Sequence, residues 1–394
     1  FACAMEGCSI GPTGMEVEAS VEMILAAEYP VLFTGRGAIQ AAAFDEVRVL
    51  SKLLHAPVFT TIAGKGILPD LPSFENLHFG VAGLFGEKPN NSALRKADLV
   101  LAIGNRLTED DTANFKYPRK RASMVQLDVD AANIGKHYHP LGVIGNPRAS
   151  LQAIIKELRE RLEGGAIDAS MARTRDAANM KLAGKLKEYR VKDTKAWLDA
   201  EPMKPQRVLH AIRKALVPGD FVVTDASASS RWIGAYYPVK QAGRHLVTPR
   251  GVGPTGFGLG ALLGTCIGAM TRGNHVAKAK KVLITGDGGL MNAGVSDLET
   301  IVKLDLDCTI VVLNNAALGF VRFGQAMLQR GRYIDTTRPE ANFAGITEAF
   351  GGTGIIQESL ETLDKTMEDS INTPGLTLVD TRVDPEEYLP PNSY

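Results

Sequence analysis

Two short polar strings, each set at the end of an apolar run, hold the residues best suited to chemistry. Lys281–Thr285 (KVLIT) runs directly into Gly286-Asp287-Gly288-Gly289, and Thr309–Leu313 (TIVVL) runs directly into Asn314-Asn315. Continuous apolar runs of this length read as buried strands of a parallel sheet. Parallel strands open their carboxyl ends on one edge, where such sheets bind ligands. Glycines there let backbone N–H groups approach a phosphate closely, and Asp287 sets a carboxylate beside them. With the side-chain amide of Asn315 and a loop carbonyl, that carboxylate forms a mixed oxygen set that suits Mg²⁺ completed by phosphate oxygens. The pattern points to a metal-bridged diphosphate site. A Gly-Asp-Gly string alone is a common structural turn. The paired Asn-Asn at the end of a second strand is what makes the signal specific.

The elements that must position these strings follow from the rest of the chain. Pro30–Thr34, Pro57–Ile62, Asp98–Ile103 and Met124–Val129 are strand-like runs, with helical spacing over Phe44–Leu54 between the first two. A second block opens near Pro205, with a helix over Gln206–Leu216, strands at Asp220–Thr224 and Leu376–Val379, and a glycine-striped helix over Leu259–Met270. Ser296-Asp297-Leu298-Glu299 has the form of a capping box. Strands alternating with helices imply an α/β fold, here two doubly wound parallel-sheet domains of three α/β/α layers joined by a charged helical linker. The expected boundaries are a linker over 1–20, a central domain over 21–160, a charged connector with solvated helices over 161–203 and a second domain over 204–394.

Composition narrows the classes. Lys plus Arg and Asp plus Glu both number 44, so the basic excess of a nucleic-acid binder is missing. Residues 251–271 carry no charge, and Gly256, Gly260, Gly264 and Gly268 recur every fourth position. Their glycine content and Pro254 leave the stretch too weakly apolar to span a membrane; a soluble helix approaching a sheet closely is expected instead. Cys3, Cys8, Cys266 and Cys308 are too scattered for a disulfide scaffold, and a reducing, cytoplasmic setting is expected. The first residue is Phe, without a signal-peptide pattern behind it, which suggests a fragment or a processed chain.

Other strings carry less. Gly251-Val252-Gly253-Pro254-Thr255-Gly256 fits a dinucleotide pattern but lacks the acidic residue that should follow about twenty positions on. His137 and His139 have no third ligand nearby and read as surface residues; Trp232, Tyr236 and Tyr237 read as packing aromatics. None of His55, His78, His210, His245 and His275 fits a Ser-His-Asp order.

The segment GDGGLMNAGVSDLETIVKLDLDCTIVVLNN resembles the thiamine-diphosphate-binding motif. DASASSRWIGAYY and TPRGVGPTGFGLG resemble the diphosphate-binding domain of the acetohydroxyacid synthase and 2-oxo-acid decarboxylase superfamily. PVFTTIAGKGILPD, ADLVLAIGNRL and VQLDVDAANIGKHY are similar to its Rossmann-like central domain in the acetolactate-synthase-like branch, while PEANFAGITEAFGG and LVDTRVDPEEYLPP resemble its C-terminal end. The resemblance implies that Asp287, Asn315 and the carbonyl of Ala317 hold Mg²⁺. It places thiamine diphosphate against Gly286, Gly288, Gly289, Asn315 and Gly319, the Ala226–Ser229 loop with Ser227, and Gly253 and Thr255. It also offers Gly35, Arg36, Gly37, Thr61, Asn105, Arg106, Asp128 and Asp130 as positions for a flavin (FAD), with a purely structural sheet edge as the alternative.

Three departures stand out. Thr255 replaces the bulky apolar residue that supports the cofactor's bent shape, Ala82 stands where a histidine is usual, and Ser227 and Ser229 replace polar residues usual in synthases. The family's N-terminal pyrimidine domain, whose glutamate activates the cofactor, has no counterpart in this sequence. The expected function is therefore a thiamine-diphosphate- and Mg-dependent 2-oxo-acid carboligase acting on a pyruvate-like substrate, as a fragment or one half of a split enzyme and inactive without that domain. The alternatives are a decarboxylase or lyase, or a non-catalytic cofactor-binding module. The resemblance further implies a homodimer or tetramer, or a partner chain that carries the pyrimidine domain.

Overall fold

The computed structural model describes residues 10–70, 77–162, 167–272 and 274–387. Cys3 and Cys8, positions 1–9 of the expected linker, 163–166 of the connector and 388–391 of the C-terminal resemblance lie outside the described residues. The contacts divide into two units. One is the chain through Arg190 together with Val239–Arg244; the other is Val191–Pro238 and the chain from His245.

The first unit holds β1 (Pro30–Thr34), β2 (Val58–Thr60), β3 (His78–Val81), β4 (Leu99–Ile103), β5 (Ser123–Asp128) and β6 (Leu141–Ile144). They form one parallel sheet in the order β3-β2-β1-β4-β5-β6. Successive side chains of a strand point to opposite faces, so Val31 and Phe33 enter one hydrophobic cluster and Leu32 the other. Both faces are thus covered, as expected of a parallel sheet.

Three local expectations are corrected. A helix begins at Gly14, inside the expected linker. Thr13 Oγ1 accepts the Glu16 N–H at 3.3 Å and Glu16 Oε2 accepts the Thr13 N–H at 2.6 Å, a capping box that satisfies two end donors. Ser296 makes no such cap: Val295 holds the N-cap position and Ser296 is already the first helical residue. The charged connector contains the helix Ala169–Trp197, but its charges are not all solvated. Arg175 is fully buried and donates to the carbonyls of Ala27 and Leu54 at 2.6 Å each and of Glu28 at 3.1 Å. Those carbonyls lie at the C-terminal ends of the Gly14–Ala26 and Phe44–Leu54 helices, where acceptors are orphaned and a cation is favoured.

The second unit holds β7 (Phe221–Thr224), β8 (Leu246–Val247), β9 (Lys281–Gly286), β10 (Cys308–Asn314), β11 (Thr353–Gln357) and β12 (Leu376–Arg382). Again all pairs are parallel, in the order β11-β12-β10-β9-β7-β8. The fold is thus two doubly wound α/β sheets, as the alternating pattern predicts. The glycine stripe does not do what was expected of it. Leu259, Leu262, Cys266 and Ala269 are the buried face of the helix Phe257–Met270, and Gly258 makes the close approach: a Cβ there would lie 2.7 Å from Leu283 Cδ1. A Cβ at Gly264 or Gly268 would meet nothing within 4 Å. Among the described residues no helix is long and apolar enough to cross a membrane.

Candidate cofactor site

In the second sheet the direction of winding reverses between β7 and β9, and β10 lies beside β9. Crevices of this kind, outside the carboxyl ends of the strands, are where open α/β sheets take ligands. Register sets the loops level: Leu313 pairs with Gly286 and Thr224 with Ile284. The residues that follow enclose one cavity of about 140 Å³.

Ala226, Ser227, Ser229, Thr255, Gly286, Asp287, Gly288, Gly289, Asn315, Ala317 and Gly319 all line that cavity, from four separate stretches of chain. Gly253 does not line it; it sits in a left-handed turn (φ 62°) beside the carbonyl of Pro249. Thr255 is exposed, and its carbonyl accepts from Asn292 Nδ2 at 2.9 Å. Leu318, Phe320 and Glu387 also line the cavity, as does Trp232, whose ring packs on Tyr236 at 5.7 Å.

Asp287 ties two loops together. Its Oδ1 accepts the Gly288 N–H at 2.7 Å and its Oδ2 the Ala317 N–H at 3.1 Å. Burial pushes the carboxyl up to about 6, against those donors and the nearby charge of Arg338. Asp225 ties three more elements, accepting from Ala226 N–H at 2.6 Å, Gly256 N–H at 3.0 Å and Thr285 Oγ1 at 3.2 Å; burial raises it as well. Sequence reasoning passed over Asp225, although a lone acid directly after the apolar run FVVT was a usable signal.

The two glycines after Asp287 serve different ends. A Cβ at Gly289 would lie 2.5 Å from Thr285 Oγ1 and 2.6 Å from Asp225 Oδ2, so this glycine admits the Asp225 carboxylate to the helix start. At Gly288 the nearest atoms to a Cβ are Leu318 Cδ2 at 3.2 Å and Arg338 Nη1 at 3.9 Å.

The donor set fits a divalent cation. Asp287 is a buried carboxyl whose proton burial favours, and Asn315 and Ala317 line the same cavity, so a cation there would restore its charge. Glu387, the other acid on the cavity wall, is engaged by Lys204 at 3.1 Å and Gln206 at 2.8 Å. Among the described residues, no three His, Cys, Asp or Glu side chains gather as a metal cage.

The flavin candidates meet at the corresponding edge of the first unit, where winding reverses between β1 and β4. There the Gly35 N–H donates to the Ile103 carbonyl and the Gly37 N–H to the Gly104 carbonyl, each at 2.9 Å. A Cβ at Gly35 would lie 2.4 Å from the Gly104 oxygen, so these glycines serve backbone packing that closes the crevice. Thr61 and Asp130 cap short 3₁₀ turns, Asn105 accepts the Leu107 N–H, and Asp128 accepts from Asp130 N–H. Arg36 and Arg106 are exposed. At this edge the flavin candidates are tied into the backbone of their own loops. His137 and His139 are exposed, with the His137 ring tilted 35° against that of Phe115 and the centroids 4.7 Å apart.

Comparison with known families agrees with this geometry. Residues 17–154 match the thiamine pyrophosphate enzyme central domain, and residues 225–381 match the thiamine pyrophosphate enzyme C-terminal TPP binding domain. The chain belongs to the thiamine-diphosphate-dependent enzyme superfamily. Within it, the chain is 26% identical over 379 residues to the acetolactate synthase large subunit of Haemophilus influenzae, covering 95% of this chain and 62% of that protein. It is 28% identical over 384 residues to the acetolactate synthase large subunit of Cyanidium caldarium (97% and 62%). To the acetolactate synthase isozyme 1 large subunit of Escherichia coli strain K12 it is 28% identical over 378 residues (94% and 61%). The chain spans about three fifths of the length of these curated relatives.

Proposed function

We propose that this chain supplies the diphosphate- and metal-anchoring part of a thiamine-diphosphate- and Mg²⁺-dependent 2-oxo-acid carboligase of acetolactate-synthase type. The observation that carries the reading is the convergence of Asp287, Asn315 and Ala317 from the ends of two adjacent parallel strands on one cavity. Asp287 and Asn315, with the carbonyl of Ala317, would hold the ion, and the first-turn amides after Asp287 would face the diphosphate. Bound thiamine diphosphate supplies a nucleophilic carbon and an electron sink for removing CO₂ from a 2-oxo acid such as pyruvate.

The chain's own residues do the holding. Asp225 fixes the Ala226 and Gly256 backbones so that both walls of the cavity keep their spacing. Trp232, Leu318 and Phe320 give the wall an apolar surface that limits water. Activation of the cofactor is assigned to a glutamate on a pyrimidine-binding domain, whether carried elsewhere on the polypeptide or by another chain, in a dimeric or tetrameric assembly.

Calorimetry with thiamine diphosphate tests the reading: binding should require Mg²⁺, vanish with chelator and be lost in Asp287→Ala. Absence of Mg²⁺-dependent binding by the parent chain would end it. With a pyrimidine-domain-bearing chain added, pyruvate should yield acetolactate; acetaldehyde instead would identify a decarboxylase. The exposed, short Thr255 favours a second reading, a cofactor-binding module without turnover; turnover under those conditions excludes it.

A further inference from the structure

The wall of the cavity is poor in positive charge for a site that receives a diphosphate. Among the described residues, the charged side chains lining it are Asp287 and Glu387, both acidic, and the Ala226–Ser229 stretch offers only small side chains. A single divalent ion at Asp287 must offset that carboxylate as well as the ligand. A phosphate ester is bound far more strongly where a guanidinium can pair with its oxygens.

One guanidinium stands at the right place. Beyond the helix Gly319–Leu328 the chain returns to the loop that carries Asn315 and Ala317. Ala317 and Thr337 form an antiparallel β-bridge, flanked by a bond from the Leu318 N–H to the Thr336 carbonyl and one from the Arg338 N–H to the Ala316 carbonyl, each 2.8 Å. The backbone of Arg338 is therefore fixed to the same loop that would hold the ion. Its side chain reaches the Gly288 edge, where Nη1 lies 3.9 Å from the position a Cβ on Gly288 would occupy. Arg231 is placed differently: it lies over the Phe320 ring at 3.9 Å and donates to the Ser227 carbonyl at 2.8 Å.

We propose that Arg338 is a diphosphate-binding residue of this cavity, a guanidinium that pairs with phosphoryl oxygens at the Gly288 edge while the divalent ion is held at Asp287. The proposal rests on reading the cavity as a diphosphate site. It divides the charge of the ligand between a metal and a side chain delivered by one hydrogen-bonded loop pair. Because that pairing is made by main-chain groups, neutralising the side chain leaves the loop in place.

The full chain and its Arg338→Gln and Arg338→Lys variants are titrated with thiamine diphosphate and, separately, with inorganic pyrophosphate, both with Mg²⁺, by calorimetry and by quenching of Trp232 fluorescence. Arg338→Gln should weaken both ligands by about tenfold or more, the size expected for a lost charge-assisted contact. Arg338→Lys should recover part of the loss, and both free variants should still melt cooperatively. Equal affinity of the parent and Arg338→Gln for both ligands overturns this assignment and leaves the diphosphate reading standing. Failure of the parent chain to bind either ligand overturns both.

Discussion

The Asp287 carboxylate accepts the main-chain N–H of Ala317 at 3.1 Å, so a side chain one residue past β9 is bonded to the third residue past β10. The bond closes the loops over a carboxyl that burial lifts from 3.8 to about 6. Between those values the native chain keeps a proton that the unfolded chain releases. Stability should therefore fall as pH rises across that window, by on the order of 3 kcal/mol, and no further above it. Asp287→Asn should flatten this part of the pH profile. It should also abolish the stabilisation that Mg²⁺ with thiamine diphosphate gives the parent. Parallel denaturation curves of parent and variant from pH 4 to pH 8 would sink the argument.

Glycine substitutions separate packing from chain flexibility. Gly289→Ala drives a Cβ to 2.5 Å from Thr285 Oγ1 and 2.6 Å from Asp225 Oδ2, and should lower stability by about 1–3 kcal/mol. Gly264→Ala, in the middle of a helix with nothing within 4 Å of the new methyl, should raise it by about 0.5–1 kcal/mol. Urea midpoints that move in the same direction for both would contradict the placement of these glycines.

These glycines also show how far the sequence could be read. The string GDGG announced a ligand loop, but nothing in its spacing said that Gly289 makes room for Asp225. That contact joins residues far apart in the chain, and only the order β10-β9-β7 brings them together. The interior strands were legible because apolar residues dominate them, with unbroken apolar stretches at the centres of β9 and β10. The strands without a sequence signal, β3, β6, β8 and β11, are the four edges of the two sheets. Edge strands are buried less evenly, and β6, β8 and β11 include half-buried or exposed positions, so their residues need not be apolar. Arg175 was hidden for the opposite reason: a charged helix suggests a solvated face, and only the arrival of two helix ends around one guanidinium reverses that.

Ser227, on the cavity wall, adopts φ 64° and ψ −137°, a conformation that glycine reaches at little cost and other residues do not. Strain of about 1–3 kcal/mol is stored there, and Ser227→Gly releases it against a backbone-entropy penalty of roughly 0.5–1 kcal/mol. The net expectation is a gain on the order of 1 kcal/mol by chemical denaturation, with the Ser227 carbonyl still able to accept from Arg231. A variant less stable than the parent would show that the serine is not strained.

In the first unit His78 is fully buried, with Nδ1 at 3.0 Å from the Pro69 carbonyl and 3.4 Å from Asp70, which pairs with Lys65 at 2.5 Å. Burial pushes the imidazole below its ordinary 6.5, although Asp70 opposes the shift. Burial also disfavours the Asp70 carboxylate, but the charges of Lys65 and His78 and the Val239 N–H hold it below 3.8. Both groups have lower folded than unfolded values, so the unfolded chain takes up protons first as pH falls. Stability from His78 is complete above 6.5 and is lost as pH drops toward its folded value; Asp70 adds a second loss below 3.8. His78→Gln, which cannot be protonated, should cancel the first loss while keeping polar volume beside Asp70. Urea midpoints at pH 7.5 and pH 5.5 decide it: the parent should fall more than the variant, and equal falls would remove His78 as the cause.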